Sequence, residues 1–159
     1  MSKNTTNIIG VIIIISAYLF VWPPIHTLMK MKTLPNMTLS SIHGETTVFK
    51  GIEGLTVVYF WATWCQFCEK QMPDIIELDN AYNVVFISAD SGPDQNVAAH
   101  LENFDFDGQF YVNDRNGELK TLFAVGGYPT TIVVKENKIQ FHHMGVLDKT
   151  YFENTLKTL

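Results

Sequence analysis

The stretch TVVYFWATWCQFC, residues 56–68, decides the fold of this chain. It contains Cys65 and Cys68, the only cysteines of the sequence, three positions apart. Residues 55–61 are rich in β-branched and aromatic side chains, which predicts a buried strand. Residues 69–82 follow as a predicted helix. A strand that leads into Cys-x-x-Cys as a helix begins is typical of a redox-active dithiol.

The predicted helix start explains why this spacing favours redox chemistry. The first N–H groups of a helix and the positive end of its dipole favour the anionic form of a nearby thiol. The thiolate is the nucleophile in thiol–disulfide exchange. We therefore expect Cys65 to be the exposed, attacking sulfur, and Cys68, one turn further, to be the resolving sulfur.

Composition predicts one folded domain with an N-terminal appendage. Of the 159 residues, 47% are hydrophobic and 17% are charged, so the chain has enough apolar side chains for a core. The net charge is −5 and there is no basic run, which argues against nucleic acid as a partner. We assign residues 1–22 to a tail and membrane anchor, 23–33 to a linker, and 34–159 to the folded domain.

The anchor prediction rests on residues 8–22, IIGVIIIISAYLFVW, which carry no charge. A helix of this length covers somewhat less than a hydrocarbon core about 30 Å thick, and residues 5–7 bring it close. The alternative is a cleaved signal peptide, although no small-x-small cleavage site follows the run. We expect a single-pass protein of the inner (cytoplasmic) membrane, with the catalytic domain on the periplasmic or extracytoplasmic side.

The remaining pattern predicts alternating strands and helices. The expected strands are residues 37–41, 46–49, 84–88, 109–112, 130–134 and 139–144; the expected helices are residues 91–104, 118–124 and a last one capped by Asp148. Pro93 is expected in the first turn of the second helix, with Ser91 or Gly92 as its cap. Pro73 falls inside the helix after Cys68, where we expect a kink. The order predicts an α/β fold: a mixed sheet with helices on both faces, plus an N-terminal β-hairpin.

Several motifs together resemble the thioredoxin family. Residues 60–68 resemble the thioredoxin active-site segment, and Pro73 matches the proline that kinks the helix behind it. Residues 127–130, GYPT, resemble the loop that carries a cis-proline, and Gly145 resembles the glycine that closes the last hairpin. The resemblance covers residues 34–159. The apolar N-terminal run and the lead-in LPNMTL, residues 34–39, narrow it to the anchored TlpA/ResA-type branch.

This resemblance implies a thioredoxin-like three-layer sandwich and a thiol:disulfide oxidoreductase without cofactor or metal. It implies that the Cys65–Cys68 pair exchanges disulfides with extracytoplasmic proteins. We expect a reductase, but the sequence leaves the direction of electron flow open. The expected location, and not a residue, suggests a transmembrane electron donor, because that compartment holds no thiol buffer. Pro129 would be cis and lie against the dithiol, and Tyr128 would face an extended substrate segment. Trp64 would form one side of the site or serve packing alone.

Two positions depart from the pattern of the family. Tyr59 stands where thioredoxins carry a buried Asp, and Gln71 stands where TlpA/ResA-type reductases that handle cytochrome c carry Glu. A buried carboxylate near a dithiol moves protons on and off the resolving thiol. We therefore expect Cys68 to exchange protons with water or a partner, and no direct role in cytochrome c maturation.

Alternative functions fit parts of the pattern. A copper-binding chaperone would add His142, His143 or Met144 to the cysteine pair, because soft sulfur ligands select copper(I). His142 and His143 are adjacent on a predicted strand, however, and therefore point to opposite faces. A redox-inert binding module would need neither cysteine, and a peroxidase would need an arginine to support its cysteine, whereas the only arginine lies far along the chain.

Overall fold

The structure is a computed structural model that describes residues 34–49, 54–79, 81–104 and 110–159. The predicted anchor and linker, residues 1–33, lie outside the described residues. Within the described ranges, no helix is both long enough and apolar enough to cross a bilayer.

Strands and helices alternate along the described part of the chain. The strands are β1 (Met37–Ser40), β2 (Thr46–Phe49), β3 (Leu55–Trp61), β4 (Asn83–Ala89), β5 (Phe110–Asp114), β6 (Thr130–Lys135) and β7 (Lys138–Met144). The helices are α1 (Gln66–Leu78), α2 (Asp94–Leu101), α3 (Glu118–Leu122) and α4 (Lys149–Thr158).

Five strands form a mixed sheet in the order β5-β4-β3-β6-β7, and β1 and β2 form a separate antiparallel hairpin. Strands β3, β4 and β5 run parallel, whereas β6 and β7 pair antiparallel with their neighbours. The predicted mixed sheet and N-terminal hairpin are therefore confirmed. Because β3 is the central strand, the segment that follows it emerges at the middle of the sheet edge.

The side chains of β3 alternate between two apolar cores on opposite faces of the sheet. Val57, Tyr59 and Trp61 lie in the core that also contains buried residues of α1, α2 and α4. Val58 and Phe60 lie in the core shared with the β1–β2 hairpin and with partly buried leucines of α3. Helices on both faces of the sheet give the expected three layers.

Two helix starts differ from the prediction. Helix α1 begins at Gln66, three residues earlier than expected, because Cys65 itself is the residue that caps it. Helix α2 begins after Pro93, and Ser91 does not cap it. The Ser91 hydroxyl instead donates to the Ala89 carbonyl and accepts the N–H of Thr63, so it ties the end of β4 to the segment before the cysteines.

Three of the helices also end at earlier residues than expected. Helix α1 ends at Leu78, α2 at Leu101 and α3 at Leu122. The backbone of Ala124 is left-handed, with φ of 55°, which is incompatible with continuation of α3. Asp148 caps α4 as predicted, since its side chain accepts the N–H of Tyr151 at 2.8 Å.

Candidate active site

Cys65 and Cys68 meet at the junction of β3 and α1. Cys65 is the N-cap of α1 and has an extended backbone, with φ of −93° and ψ of 96°. Its Sγ accepts the backbone N–H of Cys68 at 3.1 Å, which is the hydrogen bond expected of a helix cap. The two Cα atoms are 5.2 Å apart and the two sulfurs form a disulfide. The first turn of α1 therefore brings both sulfurs together at its positive end.

The burial of the two cysteines follows the expected order but not the expected degree. Cys68 is fully buried, and Cys65 is only 5% exposed, so the prediction of an exposed Cys65 is wrong. The physical reason is that its sulfur is bonded to Cys68 and hydrogen-bonded to the same residue, which holds it against the first helical turn.

The loop before β6 carries the predicted cis-proline. The Tyr128–Pro129 peptide bond is cis. The Pro129 carbonyl accepts the N–H of Gly145 at 2.7 Å, so this loop is fixed to the end of β7. The side chain of Met144 covers the same loop, because a Cβ atom added at Gly127 would lie 3.2 Å from the Met144 sulfur. The cis-proline loop and the end of β7, which are distant in sequence, therefore form one surface.

The structure brings Trp64 and Tyr128 into contact. Their rings meet edge to face, with centroids 5.7 Å apart and an interplanar angle of 73°. Trp64 directly precedes Cys65 and is 64% exposed, whereas Tyr128 directly precedes Pro129 and is partly buried. This contact connects the cysteine segment with the cis-proline loop.

Asp90 holds both aromatic residues, and sequence reasoning missed it. The indole N–H of Trp64 donates to the Asp90 carbonyl at 3.0 Å, and the Tyr128 hydroxyl donates to its Oδ2 at 2.9 Å. Lys120 forms an ion pair with the same Oδ2, and its ammonium lies 5.6 Å from the centroid of the Tyr128 ring. We call Trp64, Asp90, Lys120 and Tyr128 the Asp90 cluster. Its members are far apart in sequence, so no local motif could have revealed it.

The electrostatics of the cluster favour an ionised Asp90 and a neutral Tyr128. The hydrogen bond from Lys120, followed by that from Tyr128, lowers the pKa of the Asp90 carboxyl. Burial of the phenol, together with its hydrogen bond to Asp90, raises the pKa of Tyr128. The hydroxyl of Tyr128 therefore remains a donor and the carboxylate an acceptor near neutral pH.

Both positions that depart from the thioredoxin pattern carry neutral side chains beside the resolving cysteine. Tyr59 is fully buried and its hydroxyl donates to the carbonyl of Cys68 at 3.3 Å. Burial raises the pKa of Tyr59, so this group stays protonated. Gln71 is 3% exposed and its Nε2 donates to the Leu147 carbonyl at 3.5 Å. Neither side chain is an acid or base at neutral pH.

The two histidines considered for copper lie on opposite faces of β7. The His143 ring stacks on Phe141, whereas the His142 ring interacts with the backbone of Phe123 in the other core. Burial lowers the pKa of His142. Among the described residues, no three His, Cys, Asp or Glu side chains converge as a metal site.

Comparison with known proteins identifies the family. A thioredoxin-like family model matches residues 53–139, which include the cysteine pair, Tyr128 and Pro129. The chain belongs to the thioredoxin-like family.

Individual relatives agree with this assignment. "Thioredoxin-like protein YneN" of Bacillus subtilis (strain 168) is 30% identical over 131 residues, which cover 77% of this chain and 75% of the relative. "Thiol-disulfide oxidoreductase ResA" of Bacillus thuringiensis subsp. konkukian (strain 97-27) is 31% identical over 135 residues, or 80% and 77% of the two chains.

The fold has solved counterparts. The crystal structure of the exposed lipoprotein thioredoxin Etrx1 of Streptococcus pneumoniae strain TIGR4 superposes with a TM-score of 0.70 at 23% identity, and covers 79% of this chain and all of that one. With the Cys-x-x-Cys pair at its strand–helix junction, this thioredoxin-like chain is a thiol-disulfide oxidoreductase.

Proposed function

We propose that this thioredoxin-like protein reduces disulfides in extracytoplasmic proteins, with Cys65 as the attacking sulfur and Cys68 as the resolving sulfur. The observation that carries the proposal is the geometry of the pair. Cys65 caps α1 and is the less buried residue of the two, and Cys68 is bonded to it from the first turn of the helix. We therefore assign the attack on a substrate to Cys65 and the resolving step to Cys68.

The reaction requires two exchanges. The Cys65 thiolate attacks one sulfur of a substrate disulfide, which forms a mixed disulfide and releases the other substrate sulfur as a thiolate. Cys68 then loses its proton and attacks Cys65, which releases the second substrate thiolate and forms the Cys65–Cys68 disulfide. The substrate gains two electrons and the enzyme loses two. A dithiol donor must return them, and we assign this role to a transmembrane electron carrier.

The surface around the pair supports a polypeptide substrate. Four large apolar side chains near the cysteines and the cis-proline loop are more than half exposed: Trp64, Phe67, Met144 and Val146. Exposed apolar groups gathered on one surface indicate an interaction site. Pro129 and Tyr128 lie between the cysteine segment and β7, where their backbone can pair with an extended substrate segment.

The uncharged run of residues 8–22 supports an extracytoplasmic location. Such a run at the N-terminus, ahead of a folded domain, is the arrangement of a single-pass anchor in the inner membrane. A carrier within the same membrane could then supply electrons where no thiol buffer exists.

Cysteine variants of the full chain in detergent test the proposed roles. With insulin as the disulfide substrate, Cys65→Ser is expected to lower reduction to the uncatalysed rate, because the attacking thiolate is gone. Cys68→Ser is expected to accumulate a mixed disulfide between Cys65 and insulin, visible by non-reducing electrophoresis and mass spectrometry. A mixed disulfide formed by Cys65→Ser instead would invert the two roles, and full activity of both variants would refute a redox function.

A further inference from the structure

The Asp90 cluster joins four separate segments of the chain around the redox site. Trp64 belongs to the segment between β3 and α1, Asp90 follows β4, Lys120 lies in α3, and Tyr128 lies in the cis-proline loop. Asp90 is the one member that forms a hydrogen bond with each of the other three. A change of the Asp90 side chain would therefore act directly on Tyr128 and Lys120, and on Trp64 through its contact with the Tyr128 ring.

The contacts divide between the backbone and the side chain of Asp90. The carbonyl accepts from the Trp64 indole, and the carboxylate accepts from the Tyr128 hydroxyl and the Lys120 ammonium. The backbone of Asp90 is left-handed, with φ of 53°, a conformation that Asp adopts more readily than most residues. The next residue, Ser91, accepts the N–H of Thr63, so the loop is also fixed beside Trp64.

Trp64 needs such a contact to have a defined position. It is 64% exposed, so packing against the core does not fix its ring. The two partners that the structure shows for this ring are the Asp90 carbonyl and the edge of Tyr128. Because Asp90 binds Tyr128 as well, one residue determines how the two rings meet.

We infer that Asp90 is a positioning residue for substrate recognition, which holds Trp64 and Tyr128 as one side of a cleft for a polypeptide disulfide. Asp90 itself touches neither cysteine in the described contacts and takes no part in sulfur exchange. Lys120 supports it by neutralising the carboxylate and by contact with the Tyr128 ring. This inference rests on the proposed reduction of protein substrates and adds a residue that selects them.

Stopped-flow kinetics of the full chain in detergent test the inference. Pre-reduced protein is mixed with excess insulin, and the half-saturating insulin concentration and the limiting rate are measured separately. Reaction with the small disulfide 5,5′-dithiobis(2-nitrobenzoate) provides a substrate that needs no cleft. Asp90→Ala is expected to raise the half-saturating insulin concentration about three- to ten-fold, the effect of one lost hydrogen bond. The preference for insulin over the small disulfide should fall by a similar factor.

Further variants separate positioning from a general structural effect. Tyr128→Phe should reproduce the effect of Asp90→Ala, and the double variant should be no worse than either, because both changes remove the same hydrogen bond. Asp90→Asn keeps an acceptor oxygen for Tyr128 and should recover most of the affinity. Asp94→Ala is the matched control: its carboxylate is 47% exposed and paired with Arg115, against 46% for Asp90 paired with Lys120.

The outcomes distinguish the inference from the proposed function. Reduction of insulin by the wild-type chain with unchanged half-saturation in Asp90→Ala would overturn the inference alone. Equal losses in Asp90→Ala and Asp94→Ala, or additive losses in the double variant, would also overturn it. If the wild-type chain reduced only the small disulfide, the proposed function and the inference would both be wrong.

Discussion

Tyr59 shows how one residue can replace a charged group of the family by a neutral one. Thioredoxins carry an Asp at this position of the central strand, and the sequence therefore predicted the loss of a proton carrier. In the structure, the Tyr59 hydroxyl instead donates to the carbonyl of Cys68, from a fully buried position. Tyr59 therefore does not act as an acid or base at neutral pH, but its hydroxyl contacts the turn that holds the resolving cysteine.

Replacing Tyr59 by Phe tests that contact. Tyr59→Phe should lower the free energy of unfolding by about 1 kcal/mol, the usual contribution of a neutral hydrogen bond. The measurement is equilibrium urea unfolding of the oxidised full chain, followed by tryptophan fluorescence. Tyr151→Phe is the control, because Tyr151 is 57% exposed on α4. Equal, negligible changes in the two variants would show that the hydroxyl of Tyr59 contributes nothing.

The turn after β7 is the element that fixes the cis-proline loop. Gly145 has φ of 111°, which residues with a side chain rarely adopt, and its N–H donates to the Pro129 carbonyl. The glycine is therefore required by the backbone conformation, as its resemblance to the family's hairpin-closing glycine suggested.

Gly145→Ala should destabilise the protein by about 1–2 kcal/mol, because the new Cβ strains the backbone at this φ. Insulin reduction should fall as well, since the cis-proline loop loses its fixed partner. Gly126→Ala is the control: its backbone is not in the strained region, and a Cβ there would meet the Met144 sulfur at 3.7 Å, an ordinary contact. Unfolding midpoints that shift equally in both variants would contradict this account of the turn.

Local patterns predicted the elements well and their ends less well. The apolar run of β3 and the cap at Asp148 carry their signals in adjacent residues, so both were found. The start of α1 was missed because Cys65 is not among the residues that usually cap helices. Ser91 was assigned to a helix cap by type, whereas its hydroxyl binds Thr63, a partner 28 residues away that no local pattern reveals.

At the scale of the whole molecule, the sheet order determines which segments meet. The central position of β3 places the cysteines beside the loops that follow β4 and precede β6. The cysteines and the cis-proline loop were predictable because the family's motif marks both. Asp90 and Lys120 were not, because they reach the site only through the sheet order and the packing of α3. The predicted anchor, residues 1–22, remains a prediction of the sequence.

The redox potential of the cysteine pair tests the central claim most directly. The full chain in detergent is equilibrated in dithiothreitol or glutathione buffers of graded potential, and free thiols are alkylated and counted by mass. We predict one two-electron transition that involves both Cys65 and Cys68, at a potential nearer to about −270 mV than to about −120 mV. A transition near −120 mV would contradict a reductase, and two thiols that never form a bond would contradict the redox function itself.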